Sequence, residues 1–248
     1  MTTKKIAILN HKGGVGKTTT TFNLGKALSL LEQKVLMIDI DPQANLTIIA
    51  GQEQPEISIY DAFINDETLP IVNVSNNLDL VPANLDLSEG ESRFISVGIG
   101  GYFKLKNALE KLEDDYDYIL IDCPPSLGIL TLNALIASDN VMVIVNPEFL
   151  SIKGLTTIIN AINGINKDLN LNCSILGYLI AQTERTVLSK GFEKQVKDVF
   201  QDKTFNTVIR RNVALKEASA SKTDIFSYNR TSTGAEDYLE LAKEIVSL

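Results

Sequence analysis

Residues 11–19, HKGGVGKTT, lie between an apolar run and a helical pattern, and this arrangement indicates the class of fold. The run before them, residues 5–10, is typical of a strand buried in a parallel sheet. From residue 16 to residue 31 the apolar residues recur at helical spacing, and residues 35–39 form a second buried-strand pattern. Strand, glycine-rich turn, helix and strand in this order predict a βαβ unit with a right-handed crossover.

The composition of residues 11–19, called the phosphate loop below, suits anion binding. A glycine-rich turn that leads into a helix exposes backbone N–H groups, and these donors together with the helix dipole bind phosphate. We therefore predict a nucleotide site in which Lys17 reaches the β- and γ-phosphates and the Thr18 hydroxyl binds Mg²⁺. The predicted nucleotide-binding residues of the loop are Lys12, Gly13, Gly14, Val15, Gly16, Lys17, Thr18 and Thr19.

The loop departs at its start from the common G-x-x-x-x-G-K-[ST] pattern. His11 stands at the first glycine position, and Lys12 follows it. Because Lys17 already supplies a cation to the loop's own nucleotide, Lys12 is a candidate for contacting the nucleotide of a neighbouring subunit. The alternative is a solvated surface lysine.

Two acids at strand ends are candidates for the chemistry. Asp122 ends the apolar run 118–122, and an acid at the carboxyl end of a central parallel strand points into the ligand crevice. We predict that it binds Mg²⁺ through water. Asp39 and Asp41 lie at the end of the second strand. Asp41, the nearer to the crevice, is the candidate for orienting the attacking water and a second candidate for the metal. Its alternative role is that of a turn or helix-cap acid.

Strand and helix patterns alternate along the rest of the chain. Further buried strands are predicted at 118–122, 141–145 and 175–181, with helices between them, whereas residues 96–101 look like a mobile loop. This alternation predicts an α/β fold with a doubly wound, mostly parallel sheet flanked by helices. No linker pattern interrupts the 248 residues, so we expect a single domain spanning 1–248.

Composition limits the class of protein. The net charge of −8 does not favour a chain-wide attraction to DNA, but residues 183–230 carry ten Lys/Arg against six Asp/Glu, a local net of +4. That segment is either an ordinary solvated surface or an anion-binding face. The single histidine and two cysteines give little support for a zinc site, and no run is long enough to cross a membrane. We expect a cytoplasmic protein.

Several segments together resemble the ParA/MinD ATPases. Residues 12–19 are similar to the deviant Walker A motif of that family, and residues 39–46, DIDPQANL, resemble its D-x-D-P-Q-x-N segment. Residues 121–126, IDCPPS, resemble its D-x-P-P-S segment, and residues 130–135 and 209–213 follow in order. The resemblance covers nearly the whole chain and is to the short, Soj-like members of the ParA branch.

The resemblance implies a P-loop ATPase whose homodimer holds ATP between two subunits. In that family the lysine matched by Lys12 reaches the partner's phosphates, and the acid matched by Asp41 positions the water. Adenine binds near the segment matched by Arg210 and Asn212, although proline is common at the position of Arg210. The family implies ATP and Mg²⁺ as cofactors and slow hydrolysis without a partner.

The implied partners are double-stranded DNA, bound without sequence preference, and a ParB-type centromere-binding protein that stimulates hydrolysis and releases the DNA. The outcome is plasmid or chromosome segregation at the nucleoid. The basic segment then supplies candidate phosphate contacts. Many relatives have an arginine at the position of Ala214, and Lys216 is the candidate substitute. The seven candidates are Arg185, Lys190, Lys194, Lys197, Lys216, Lys222 and Arg230.

Three alternative functions differ in what they require of the sequence. A MinD-like membrane ATPase needs a basic amphipathic C-terminal helix, but residues 235–246 are acidic. An iron protein needs paired cysteines for an iron–sulfur cluster, and Cys123 and Cys173 lie in separate segments. A nucleotide-dependent scaffold without catalysis remains compatible with the sequence.

Overall fold

The computed structural model describes residues 3–112, 116–147 and 152–248. Its strands are β1 (Lys4–Leu9), β2 (Val35–Asp39), β3 (Val72–Ser75), β4 (Leu78–Val81), β5 (Tyr118–Asp122), β6 (Asn140–Val145), β7 (Ser174–Thr183) and β8 (Thr204–Arg210). They form one eight-stranded sheet in the order β3-β4-β2-β5-β1-β6-β7-β8. All neighbouring pairs are parallel except β3 with β4. The predicted fold class is confirmed.

Helices cover both faces of the sheet. They are α1 (Lys17–Leu30), α2 (Asn45–Ile49), α3 (Ile59–Asn65), α4 (Asp86–Ser96), α5 (Lys104–Leu109), α6 (Ile129–Ala137), α7 (Ile152–Leu169), α8 (Val187–Phe200), α9 (Val213–Ala220), α10 (Ile225–Asn229) and α11 (Thr233–Val246). Short 3₁₀ turns occupy Gly98–Phe103 and Gln201–Lys203. In the described part of the chain, none of the helices has both the length and the hydropathy to span a bilayer.

The alternation of side chains along β1 shows why its whole run is apolar. Ala7 and Leu9 belong to the core that packs against α3 to α8, whereas Ile6 and Ile8 belong to the core under α1, α9 and α11. All four are fully buried. A central strand of a parallel sheet is covered on both faces, so it needs apolar residues at every position.

The expectation of a mobile loop at residues 96–101 is wrong. Helix α4 extends to Ser96, and the 3₁₀ turn begins at Gly98. The turn is packed against α4 and α6, where the Asn133 amide donates to the Gly101 carbonyl at 2.8 Å. Tertiary packing therefore orders a glycine-rich segment whose local sequence favours flexibility.

Gly101 provides a test of this packing. A Cβ at residue 101 would lie 1.9 Å from the Phe94 carbonyl oxygen, so Gly101→Ala requires backbone displacement. We expect the free energy of unfolding to fall by about 3 kcal/mol, the upper range for overpacking. Equilibrium urea unfolding measures this change.

Gly100→Ala is the matched control. A Cβ at residue 100 would meet its nearest atom, Val97 Cγ1, at 3.5 Å, an ordinary van der Waals distance. Its free energy of unfolding should stay within about 1 kcal/mol of the wild-type value. Equal losses of stability in the two variants would contradict the packing described for Gly101.

Candidate active site

The phosphate loop lies at the carboxyl end of β1, between the ends of β5 and β6. Gly14 and Gly16 adopt φ angles of 76° and 100°, which residues with a Cβ rarely adopt. Gly16 precedes α1 and has no side chain to cap that helix. The first N–H groups of α1 therefore remain available to an anion.

Hydrogen bonds from the flanking residues fix the curvature of the loop. The Asn10 amide donates to the Ile144 carbonyl at 2.6 Å, and Asn10 Oδ1 accepts from the Lys12 N–H at 3.0 Å. Lys17 Nζ donates to the Lys12 carbonyl at 3.2 Å, and the Lys17 residue is only 6% exposed. The ammonium group is thus held against the loop's own backbone, where N–H donors and a cation together can bind phosphate.

Thr18 links the loop to the neighbouring strand. Its Oγ1 donates to Asp122 Oδ2 at 2.6 Å, and Thr21 Oγ1 lies 3.3 Å from Asp122 Oδ1. Burial raises the pKa of the Asp122 carboxyl, nearby Asp39 raises it further, and Thr18 and Lys17 oppose the shift. Asp122 therefore lies in a position where a bound cation would stabilise its charge.

The residues at this point fit Mg²⁺. Thr18 and Asp122 offer oxygen atoms, the ligands that Mg²⁺ prefers, and they are within 2.6 Å of each other. No cluster of three or more His, Cys, Asp or Glu side chains that could hold a metal occurs within residues 3–112, 116–147 and 152–248. The two oxygen donors of Thr18 and Asp122 suit a Mg²⁺ ion whose remaining ligands are nucleotide phosphates and water.

Asp39 and Asp41 have different environments. Asp39 is fully buried and accepts hydrogen bonds from the Asp41 N–H at 3.1 Å and from Thr47 N and Oγ1 at 2.9 and 2.7 Å. Through these hydrogen bonds, Asp39 holds the turn after β2 in place. Asp41 lies on that turn, 7% exposed, and its Oδ1 accepts from the Gln43 N–H at 3.0 Å. The turn is strained at Ala44, whose φ is 51°.

Glu91 is an acid near the site that the sequence did not reveal. Burial raises the pKa of Glu91, and the nearby Asp41 carboxylate adds to the shift. A Cβ placed on Gly128 would lie 3.4 Å from Glu91 Oε2, so the side chain reaches the loop after β5. Glu91 belongs to α4, a helix that the sequence pattern did not predict. An acidic residue in the sequence does not by itself indicate a place near the phosphate loop.

A cavity of about 450 Å³ adjoins the phosphate loop and could hold a nucleotide base and sugar. Arg210 and Asn212 line it, but their side chains have other partners. Arg210 Nε donates to Asp237 Oδ1 at 2.9 Å, and its NH2 group lies 2.6 Å from Glu236 Oε2. These two acids raise the pKa of Arg210.

Asn212 serves the helix that follows it. Its Oδ1 accepts from the Ala214 N–H at 2.8 Å, capping α9, and its Nδ2 donates to Thr233 Oγ1 at 2.7 Å. The segment 210–212 therefore borders the cavity with both polar side chains already hydrogen-bonded. A base placed at this point would meet mainly the backbone and the walls of the cavity.

All seven basic candidates are exposed, and they are distributed over several elements of the chain. Lys190, Lys194 and Lys197 share one face of α8 because their spacing is that of successive helical turns. Lys222 forms an ion pair with Glu53. Lys216 on α9 lines the nucleotide cavity. Arg185 lies just before α8 and lines a groove with Lys190, and Arg230 follows α10.

The two cysteines offer no exposed pair. Cys123 and Cys173 are both buried and free, and burial raises the pKa of each thiol, that of Cys173 to about 12. Buried thiols of this kind behave as small core residues. Neither is presented at a surface where two subunits could share a cluster.

Known proteins share this sequence and architecture. A family model described as an AAA domain matches residues 3–175. The sporulation initiation inhibitor protein Soj of Bacillus subtilis is 43% identical, with 98% of each chain covered. The chromosome-partitioning ATPase Soj of Treponema pallidum is 40% identical, with 98% of this chain and 97% of that protein covered.

A solved structure agrees with these relatives. Cobyrinic acid a,c-diamide synthase from Mycobacterium smegmatis, with bound ATP analogue and magnesium, matches with a TM-score of 0.85 and 32% identity over 99% of this chain and 95% of that one. Similarity to Soj over nearly the full length, combined with a phosphate loop joined through Thr18 to Asp122, shows that the chain belongs to the ParA/MinD family of P-loop ATPases.

Proposed function

We propose that the chain, acting as a single P-loop ATPase domain over residues 1–248, is a partition ATPase. ATP and Mg²⁺ bring two copies together around the nucleotide, and the dimer binds double-stranded DNA without sequence preference. Hydrolysis, slow alone and stimulated by a ParB-type centromere-binding partner, releases the DNA. The cycle moves a plasmid or chromosome over the nucleoid in the cytoplasm.

The observation that carries the proposal is the joint placement of Lys17 and Thr18. Lys17 is buried with its ammonium against the loop backbone, and Thr18 lies 2.6 Å from Asp122. The Soj relatives, at 43% and 40% identity, are more similar to the chain than the diamide synthase structure at 32%. Their similarity supports partition rather than amide synthesis.

The chain's own residues have distinct tasks in this proposal. Bound Mg²⁺ would supply positive charge that offsets the negative charge developing in phosphoryl transfer. Thr18 and Asp122, the latter through water, would hold it. Lys17 binds the β- and γ-phosphates of its own nucleotide, and Lys12 contacts those of the partner. Asp41 accepts a hydrogen bond from the attacking water and aims it at the γ-phosphate.

The packing of the C-terminal helix argues against membrane binding through its apolar face. Tyr238, Leu241, Ala242 and Ile245 on α11 are buried in the core against α1. An amphipathic helix binds a bilayer through its apolar face. Here that face is already covered by the protein, and the outward face carries acids. The MinD-like alternative therefore has no support from this helix.

Lys17→Ala should weaken the binding of Mg²⁺ and ATP by about tenfold to a hundredfold, because the variant lacks the charge-assisted hydrogen bond to the phosphates. Isothermal titration with a non-hydrolysable ATP analogue measures the change. Lys26→Ala on the same helix is the control, since Lys26 Nζ donates to Ser75 Oγ at 2.9 Å, away from the loop. Retained affinity in Lys17→Ala would remove Lys17 from the site.

Asp41→Asn should keep ATP-dependent dimerisation but reduce turnover by about a hundredfold or more, the usual contribution of such a residue. An asparagine still accepts from the Gln43 N–H, so the turn is preserved while the carboxylate is removed. Phosphate release and light scattering report turnover and dimerisation. Unchanged hydrolysis would show that another group orients the water.

DNA retention should require ATP and should decrease steeply with salt, because the protein binds DNA through its phosphates. Lys12→Ala should bind ATP but show little ATP-dependent retention, since Lys12 acts across the dimer. Binding of fluorescent double-stranded DNA at two salt concentrations, with and without ATP, measures both effects.

A charge-matched pair of double variants tests the basic face of α8. Lys190→Ala with Lys194→Ala should lower the slope of DNA affinity against salt by about one for each phosphate that the variant no longer binds. Lys104→Ala with Lys243→Ala is the control, because each of these two lysines pairs with a nearby acid. DNA retention that is equal with and without ATP, or binding to anionic vesicles in place of DNA, would refute the partition model.

A further inference from the structure

The side chain of Gln182 crosses from the end of β7 to the phosphate loop. Gln182 Nε2 donates to the Gly14 carbonyl at 2.9 Å, although the two residues are 168 positions apart. Gln182 Oε1 accepts from Asn146 Nδ2 at 3.2 Å. Asn146, only 2% exposed, follows β6. The loop is therefore tied through one glutamine to the ends of two strands.

The backbone at Gln182 is shaped to deliver this side chain. Its φ is 58°, in the left-handed region that residues with a Cβ seldom adopt. The pairing of β7 with β8 shifts register between Ala181 and Thr183. Irregularities of this kind are common beside active sites, where they redirect a side chain. The left-handed backbone at Gln182 thus places its side chain within hydrogen-bond distance of the Gly14 carbonyl.

The orientation of the Gly14 peptide matters for anion binding. Because a peptide is planar and trans, the direction of the Gly14 carbonyl fixes the direction of the Val15 N–H. Successive N–H groups of such a loop are the donors that bind phosphate. Gly14 has a φ of 76° and no Cβ, so its own conformation restrains the peptide weakly. An external partner is needed to hold it.

We infer that Gln182 is a positioning residue of the phosphate loop, which holds the Gly14 peptide so that the Val15 N–H remains oriented for the nucleotide. Asn146 fixes the Gln182 amide so that its NH₂ group faces Gly14. Gln182 also lines the nucleotide cavity. The inference rests on the proposed ATP site, but not on DNA binding or partition.

Gln182→Ala and Gln182→Gly test the inference together. Both remove the hydrogen bond to Gly14, so both should bind a non-hydrolysable ATP analogue with Mg²⁺ about fivefold to tenfold more weakly than wild type. Glycine tolerates the φ of 58°, so Gln182→Gly should melt at a higher temperature than Gln182→Ala. A defect caused only by reduced stability would be repaired by glycine, whereas a positioning defect would not.

Two further variants sharpen the test. Gln201→Ala is the matched control, because Gln201 also has a positive φ, 44°, but lies just after α8, away from the loop. Its nucleotide affinity should equal that of wild type. Combining Asn146→Ala with Gln182→Ala should weaken binding no more than Gln182→Ala alone, since both act through one hydrogen bond.

The positioning role of Gln182 and the proposed ATP site are tested by different results. Wild-type affinity in Gln182→Ala and Gln182→Gly, or recovery of affinity in the glycine variant, would overturn the positioning role while leaving the ATP site intact. Failure of wild type itself to bind the ATP analogue would overturn the proposed function. Equal weakening in the alanine and glycine variants, with Gln201→Ala unaffected, is the expected result.

Discussion

Two carboxylates buried side by side at the ends of β2 and β5 impose the constraint around which the site is arranged. Asp39 pairs with Asp122 in the parallel register, and neither is exposed to solvent. Adjacent acids in an apolar interior disfavour each other's ionisation, so each needs donors. Asp39 receives three hydrogen bonds from the segment after β2, two of them from Thr47. Asp122 instead receives the hydroxyls of Thr18 and Thr21 from α1. One acid thus stabilises a turn, while the other lies beside Thr18, where we propose that Mg²⁺ binds.

Hydrogen bonds to three neighbouring strands hold the phosphate loop in place. Its start is tied to β6 through Asn10, and its end is tied to β5 through Thr18. Gln182 attaches its middle to β7. Since β5 and β6 flank β1 and β7 lies next to β6, the loop is braced from both sides of the strand that precedes it. A glycine-rich turn is flexible by composition, so rigidity for phosphate binding must come from such external bonds.

The loop, the central strands and the fold class could be predicted from the sequence because each depends on a local pattern. Residues 35–39, for example, are all buried, as a continuous apolar run indicates. Helix α4 was missed because Gly90 and several serines weaken its helical signal, and its order comes from packing such as the edge contact of Phe94 with Phe63, 5.7 Å between ring centroids. Gln182 was missed for a different reason. Its contribution depends on a left-handed backbone and on a partner 168 residues away, which no window of sequence contains.

The elements that border the nucleotide cavity also begin the helices that carry basic residues. Gln182 lies five residues before α8, whose Lys190, Lys194 and Lys197 are exposed on one face. Asn212 caps α9, which carries Lys216. The cavity therefore reaches the start of α9 at Asn212 and, through Gln182, the connection that leads into α8. In the proposed cycle, nucleotide control of DNA binding needs no long path through the core, because the cavity borders the connections after β7 and β8 that lead into α8 and α9.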